Sequence, residues 1–130
     1  YVPFVPLMEM EPYLKDFLKY LRQTYKTAIA TNRSDTTQPV LVHHGLDELF
    51  DFVVSCLDVR NPKPHPEPLL KILDHFGVSR AEAIYIGDSP IDEQASRAAG
   101  VPLVAYKSPE LSAAYHVSHF KEIEEILERS

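Results

Sequence analysis

The chain has one cysteine, Cys56. A single thiol closes no internal disulfide, which points to a reducing compartment such as the cytoplasm. Within the run FVVSCLDV, Cys56 reads as a small apolar residue on a buried strand rather than a reactive thiol. Clustered lysine and arginine are also missing, and the formal net charge is −6. That balance argues against nucleic acid as a partner, because phosphate backbones are bound by basic stripes. No apolar run approaches the roughly 20 residues that span a bilayer, so no membrane partner is expected. The opening, YVPFVPLMEMEPY, has neither an initiator methionine nor the basic, apolar and small-residue pattern of a signal peptide. It reads as a linker inside a longer protein.

What is present is an ordinary globular composition, with 45% hydrophobic and 25% charged residues in a chain of 130. That length suits one domain with a real core. Leu14, Phe17, Leu18, Leu21 and Tyr25 repeat at helical spacing behind Pro12. Lys26–Thr31 reads as a buried strand. A loop, SDTTQP, then leads into a helix that starts near Pro39 and stops near Gly45. Leu46–Phe50 suggests a helical turn, and Asp51–Val59 a second strand. After the stiff loop RNPKPHPEP, Leu69, Leu70, Ile72, Leu73 and Phe76 mark a helix closed by Gly77. Ser79 and Glu82 have the spacing of a capping box. Ala83–Gly87 is a third strand, Ile91–Ala99 a helix stopped by Gly100, Val101–Tyr106 a fourth strand, and Lys121–Arg129 a surface helix. Alternating strands and helices predict an α/β layered fold with a mainly parallel sheet.

Ligands of such sheets bind beyond the carboxyl ends of the strands. There the first strand offers Thr31, Asn32, Arg33 and Ser34, suited to an oxyanion at a helix start. The second leads to Lys63 between two prolines. The third ends in Gly87-Asp88-Ser89, with Asp92 one helical turn on. Taken singly, each has an ordinary reading: an N-cap cluster, a solvated lysine, and acids that complement a helix dipole. Their order and placement together point to a hard cation such as Mg²⁺ beside a phosphate. His43 and His44 lack a partner four residues away and read as solvated positions. His65 reads equally as a loop-packing residue or a substrate contact.

With these motifs the sequence resembles the haloacid dehalogenase-like (HAD) hydrolase superfamily, over nearly the whole chain. AIATNRS looks like its second motif, NPKPHPEPLL its third, and YIGDSPIDEQASRAAG its fourth. The loops are most like the phosphoglycolate phosphatase and β-phosphoglucomutase branch. The resemblance implies a three-layer, Rossmann-like, mainly parallel sheet. It also implies catalytic roles for Thr31, Asn32 and Lys63 and a phosphate site formed by these residues with Arg33. Mg²⁺ would be bound by Asp88, with Asp92 supporting it through water or a hydrogen bond.

The family's first motif, Asp-x-Asp, occurs nowhere in the chain. Its first aspartate is the nucleophile and its second the general acid/base. The resemblance therefore implies that residues 1–12 are a linker returning from an absent cap domain and that 13–130 are a partial core. The central strand that bears the nucleophile would be missing between the strands ending at Thr31 and Asp88. The two apolar edges so left would invite association. The expected activity of the intact protein is Mg²⁺-dependent hydrolysis of a small phosphorylated metabolite through an aspartyl-phosphate, with this chain alone inactive. A sugar-phosphate mutase and a non-catalytic HAD-like binding or scaffold module are the alternatives. A phosphoacceptor receiver domain is disfavoured, because it places its acids before the Thr and Lys.

Overall fold

A computed structural model of the chain describes residues 3–4, 14–32, 42, 45 and 47–128. Its strands are β1 (Pro3–Phe4), β2 (Ala28–Ala30), β3 (Phe52–Val54), β4 (Ile84–Gly87), β5 (Leu103–Tyr106) and β6 (Tyr115–Val117). Its helices are α1 (Leu14–Leu21), α2 (Glu67–Phe76), α3 (Pro90–Ala99) and α4 (Phe120–Glu128). The six strands form one sheet in the order β3-β2-β1-β4-β5-β6, with every pairing parallel.

The sheet separates two apolar layers, because successive side chains on a strand point to opposite faces. On one face Ile29, Ile84, Ile86 and Val104 meet Phe17, Leu18 and Leu21 of α1 and Phe120, Ile123 and Leu127 of α4. On the other, Ala28, Ala30, Tyr85 and Ala105 meet Leu69, Ile72 and Leu73 of α2 and Ala95 and Ala99 of α3. The three-layer parallel architecture expected from the sequence is present. Both faces of β4 are covered, and all four of its residues are buried, as central parallel strands require. On the first face the Phe120 ring stacks on Phe17 (4.9 Å between centroids) and on Tyr106 (4.4 Å). Gly77 and Gly100 end α2 and α3 in the left-handed region, at φ 65° and 74°, where a glycine carries no Cβ penalty.

Three elements differ from the sequence reading. The strand expected over Asp51–Val59 stops at Val54. The Ser55 hydroxyl and the Asp58 carboxylate then wrap a 3₁₀ turn over Cys56–Asp58, in which the Ser55 N–H donates to Asp58 Oδ2 at 2.8 Å. Cys56 is therefore half-buried in a turn rather than buried on a strand. β6 was not expected. It pairs with β5 through Val104, Ala105 and Tyr106, but only Val117 of its three residues is buried.

The third difference is β1. The slot between β2 and β4 holds Pro3–Phe4, with Phe4 opposite Ala28 on one side and Tyr85 on the other. Part of the segment read as a linker thus bridges the two edges expected to be open. The helix expected over 39–45 and the His43-His44 pair lie outside the described residues, Val42 and Gly45 excepted.

Replacing Phe120 by Ala removes the ring that joins α4 to α1 and β5, and the expected loss is about 3–5 kcal/mol. Urea denaturation checks this; an unchanged midpoint would show that the stack does not hold the layer.

Candidate active site

The carboxyl ends of β2 and β4 and the loop after β3 bring Thr31, Asn32, Lys63, Asp88 and Asp92 to one edge of the sheet. Thr31 follows β2 and is buried, and its N–H donates to the Val54 carbonyl at 2.9 Å. Asn32 clamps the Lys63 loop at two points. Its Nδ2 donates to the Lys63 carbonyl at 2.9 Å, and its Oδ1 accepts from the Lys63 N–H at 3.0 Å. Arg33 lies outside the described residues.

Lys63 reaches inward. Its Nζ donates to Asp92 Oδ1 at 2.7 Å and to the Tyr85 hydroxyl at 2.9 Å, and its side chain is only 9% exposed. Asp92, on the first turn of α3, is 2% exposed. Its Oδ1 also accepts from the Tyr85 hydroxyl at 2.6 Å. Its Oδ2 accepts from the Asp88 N–H at 3.1 Å and the Ser89 hydroxyl at 3.0 Å. Four donors therefore fill the carboxylate, which is what makes burying a charge tolerable. The turn that allows this depends on Gly87: a Cβ there would stand 2.6 Å from Asp92 Cβ. Ser89 caps α3 by accepting the Asp92 N–H at 3.3 Å.

The two carboxylates are set apart electrostatically. Burial alone would raise the pKa of Asp92, but the Lys63 ammonium and the surrounding hydrogen bonds outweigh it and hold the group below the usual range. Asp88 stands exposed at the edge. Its pKa is raised, first by the protein surface that displaces water from it and then by the Asp92 charge. Burial, followed by Asp92, also pushes the Tyr85 phenol well above its ordinary value, so it stays protonated. The Asp88 carbonyl is held from the turn after β5, accepting from the Ser108 hydroxyl at 2.9 Å.

An acid whose ionisation is disfavoured, set beside a second, ionised acid and offering only oxygen, suits a hard cation. Among the described residues no three His, Cys, Asp or Glu side chains converge as a ready-made metal cage.

Two participants escaped the sequence reading. Tyr85 stands two residues before Gly87 and so shares its face of the sheet, toward α3; a tyrosine in an otherwise aliphatic strand was the available signal, since a buried phenol seeks a partner. Ser108 carried no signal. His65 caps its own loop, its Nδ1 accepting the Glu67 N–H at 3.0 Å.

The family profile of the haloacid dehalogenase-like hydrolases matches residues 6–106. The chain belongs to this family. It is 37% identical over 95 residues to a phosphoglycolate phosphatase of Nitrosococcus oceani, covering 72% of this chain and 42% of that protein. It is 40% identical over 96 residues to the pyrophosphatase PpaX of Halalkalibacterium halodurans, covering 71% of this chain and 45% of that one. The chain thus spans less than half the length of these curated relatives. Among solved structures it resembles a HAD-superfamily hydrolase, subfamily IA, variant 1, from Geobacter sulfurreducens (45% identity, TM-score 0.87), over 90% of this chain and 60% of that one. It also resembles a β-phosphoglucomutase from Clostridium difficile (25% identity, TM-score 0.82), over 93% and 56%. These likenesses agree with the HAD-type fold of the sheet.

The raised Asp88 pKa gives a stability test. The folded state binds this proton more tightly than the unfolded chain, so stability is lost as pH rises from the ordinary value of 3.8 through the folded one. Asp88→Asn is therefore expected to raise the melting temperature at pH 7 in metal-free buffer by about 1–3 °C, a small shift because the group is exposed. The gain should vanish below pH ~4. A melting temperature lowered at pH 7 would contradict the assigned strain. Gly87→Ala is expected to cost about 1–3 kcal/mol by displacing Asp92, read from the same melts.

Proposed function

We propose that the intact protein is a Mg²⁺-dependent phosphatase acting on a small phosphorylated metabolite. The observation that carries this reading is the Lys63 ammonium. Tyr85 and Asp92 take two of its three N–H groups, and an ammonium has no other way to use the third than on an acceptor. Fixed at the carboxyl edge of the sheet, close to Thr31 and Asp88, such a donor suits a phosphoryl oxygen. Relatives named for phosphoglycolate and for pyrophosphate hydrolysis support the substrate class.

Thr31 and Lys63 are assigned to the phosphoryl oxygens. Asn32 holds the Lys63 loop, and Arg33 remains a candidate phosphate contact. Asp88 is assigned as the metal ligand and Asp92, whose oxygens are already filled, as its support. When bound there, Mg²⁺ would neutralise charge on the phosphate. The attacking carboxylate is placed outside these 130 residues, on a strand that enters the slot where β1 now pairs, with residues 1–12 leading back from a cap. A carboxylate oxygen there bonds to phosphorus as the ester oxygen leaves with a proton from the second aspartate of the same Asp-x-Asp motif; water, giving a proton back to that aspartate, then cleaves the acyl phosphate, releasing orthophosphate and restoring the carboxylate. A reducing compartment such as the cytoplasm fits the single thiol, and among the described residues no helix is long and apolar enough to cross a membrane.

The test is hydrolysis of p-nitrophenyl phosphate with Mg²⁺ by this chain and by a form extended upstream. Turnover only in the longer form is expected, with loss of at least about 100-fold on Lys63→Met. Turnover by the 130 residues alone would overturn the placement of the nucleophile. Silence in both would favour a binding module.

A further inference from the structure

Tyr85 is a fully buried side chain that touches both members of the Lys63–Asp92 pair. We propose that its hydroxyl is a positioning device that locks the Lys63 ammonium in one orientation and so aims the remaining N–H at the phosphoryl group. The aim depends on the phosphatase reading; the lock depends on geometry alone.

The three polar atoms form a closed triangle. Lys63 Nζ lies 2.7 Å from Asp92 Oδ1 and 2.9 Å from the Tyr85 hydroxyl, and the hydroxyl lies 2.6 Å from the same Oδ1. The direction of each hydrogen bond is fixed by chemistry. An ammonium only donates and a carboxylate only accepts, so the phenol must accept from Lys63 and give its single proton to Asp92. One hydrogen bond to Asp92 would let the ammonium pivot about Oδ1. The second, from a group on a different element, removes that freedom and fixes the direction of the third N–H.

The anchor itself cannot swing. Tyr85 is a central residue of β4, paired with β1 and β5, and its N–H donates to the Pro102 carbonyl at 2.9 Å. Nζ lies off the hydroxyl end of its ring, 5.6 Å from the ring centroid. A lysine stem has many rotamers, and holding it in one costs entropy that a rigid strand residue can offset.

Tyr85→Phe keeps the ring and deletes the lock together with one of the four donors to Asp92. In the full-length protein its kcat for p-nitrophenyl phosphate is expected to fall about 10- to 100-fold with KM changed less than about three-fold, the size of effect expected from losing a hydrogen bond to a charged group. An independent readout needs no turnover. The Lys63 ammonium, identified by its absence from Lys63→Met, should give a slowly exchanging ¹H–¹⁵N signal in the wild type that is lost in Tyr85→Phe. Retention of both kcat and the signal in Tyr85→Phe overturns the proposal, as does a wild type that shows no slowly exchanging lysine ammonium signal at all, an outcome that requires no variant to fold. A wild type with the signal but no phosphatase activity refutes the functional reading and leaves the lock standing.

Discussion

The buried ion pair between Lys63 and Asp92 organises the site. Its two side chains are 9% and 3% exposed and meet at 2.7 Å. Withdrawing two charges from water costs several kcal/mol per ion unless their other hydrogen-bonding positions are also filled. The neighbouring structure reads as the means of filling them. Gly87 leaves room for Asp92, and the Asp88 N–H and Ser89 hydroxyl close its outer oxygen. Tyr85 joins both partners, and Asn32 fixes the backbone that delivers Lys63. Four separate stretches of chain, from β2, the Lys63 loop, β4 and α3, are tied together at this point.

The pair also explains how two aspartates four residues apart acquire different tasks. Lys63 and the hydrogen bonds hold Asp92 ionised, while displaced water and the Asp92 charge raise Asp88. Groups whose surroundings push their pKa values apart are a recurring pattern in catalytic sites. Here one acid is committed to the scaffold and the other stays at the surface, where a cation would relieve it.

Much of this was legible because the local signals agreed with one another. The stripe Phe17, Leu18, Leu21 became one helix face, and Gly77 and Gly100 stopped helices in the left-handed region. The Ser79–Glu82 capping box formed. The described motif residues came together at one sheet edge. What escaped notice depended on contacts distant in sequence. β6 exposes Tyr115 and His116, so alternation was too weak to reveal it. Cys56 left the strand because Ser55 and Asp58 satisfy each other. The side chain of Asn32 was free in sequence terms to meet a phosphate; that it holds Lys63 instead depends on a loop 31 residues away. Tyr85 looked like core because it is core, and only the fold places its hydroxyl against Asp92.

The most direct test of a phosphate cradle with a cation at Asp88 is anomalous scattering from crystals of the full-length protein soaked in Mn²⁺ and tungstate. The account predicts a manganese peak at the Asp88 carboxylate and a tungsten peak within hydrogen-bonding reach of Lys63 Nζ. An anion bound away from Lys63, or manganese seated elsewhere with Asp88 empty, would contradict it.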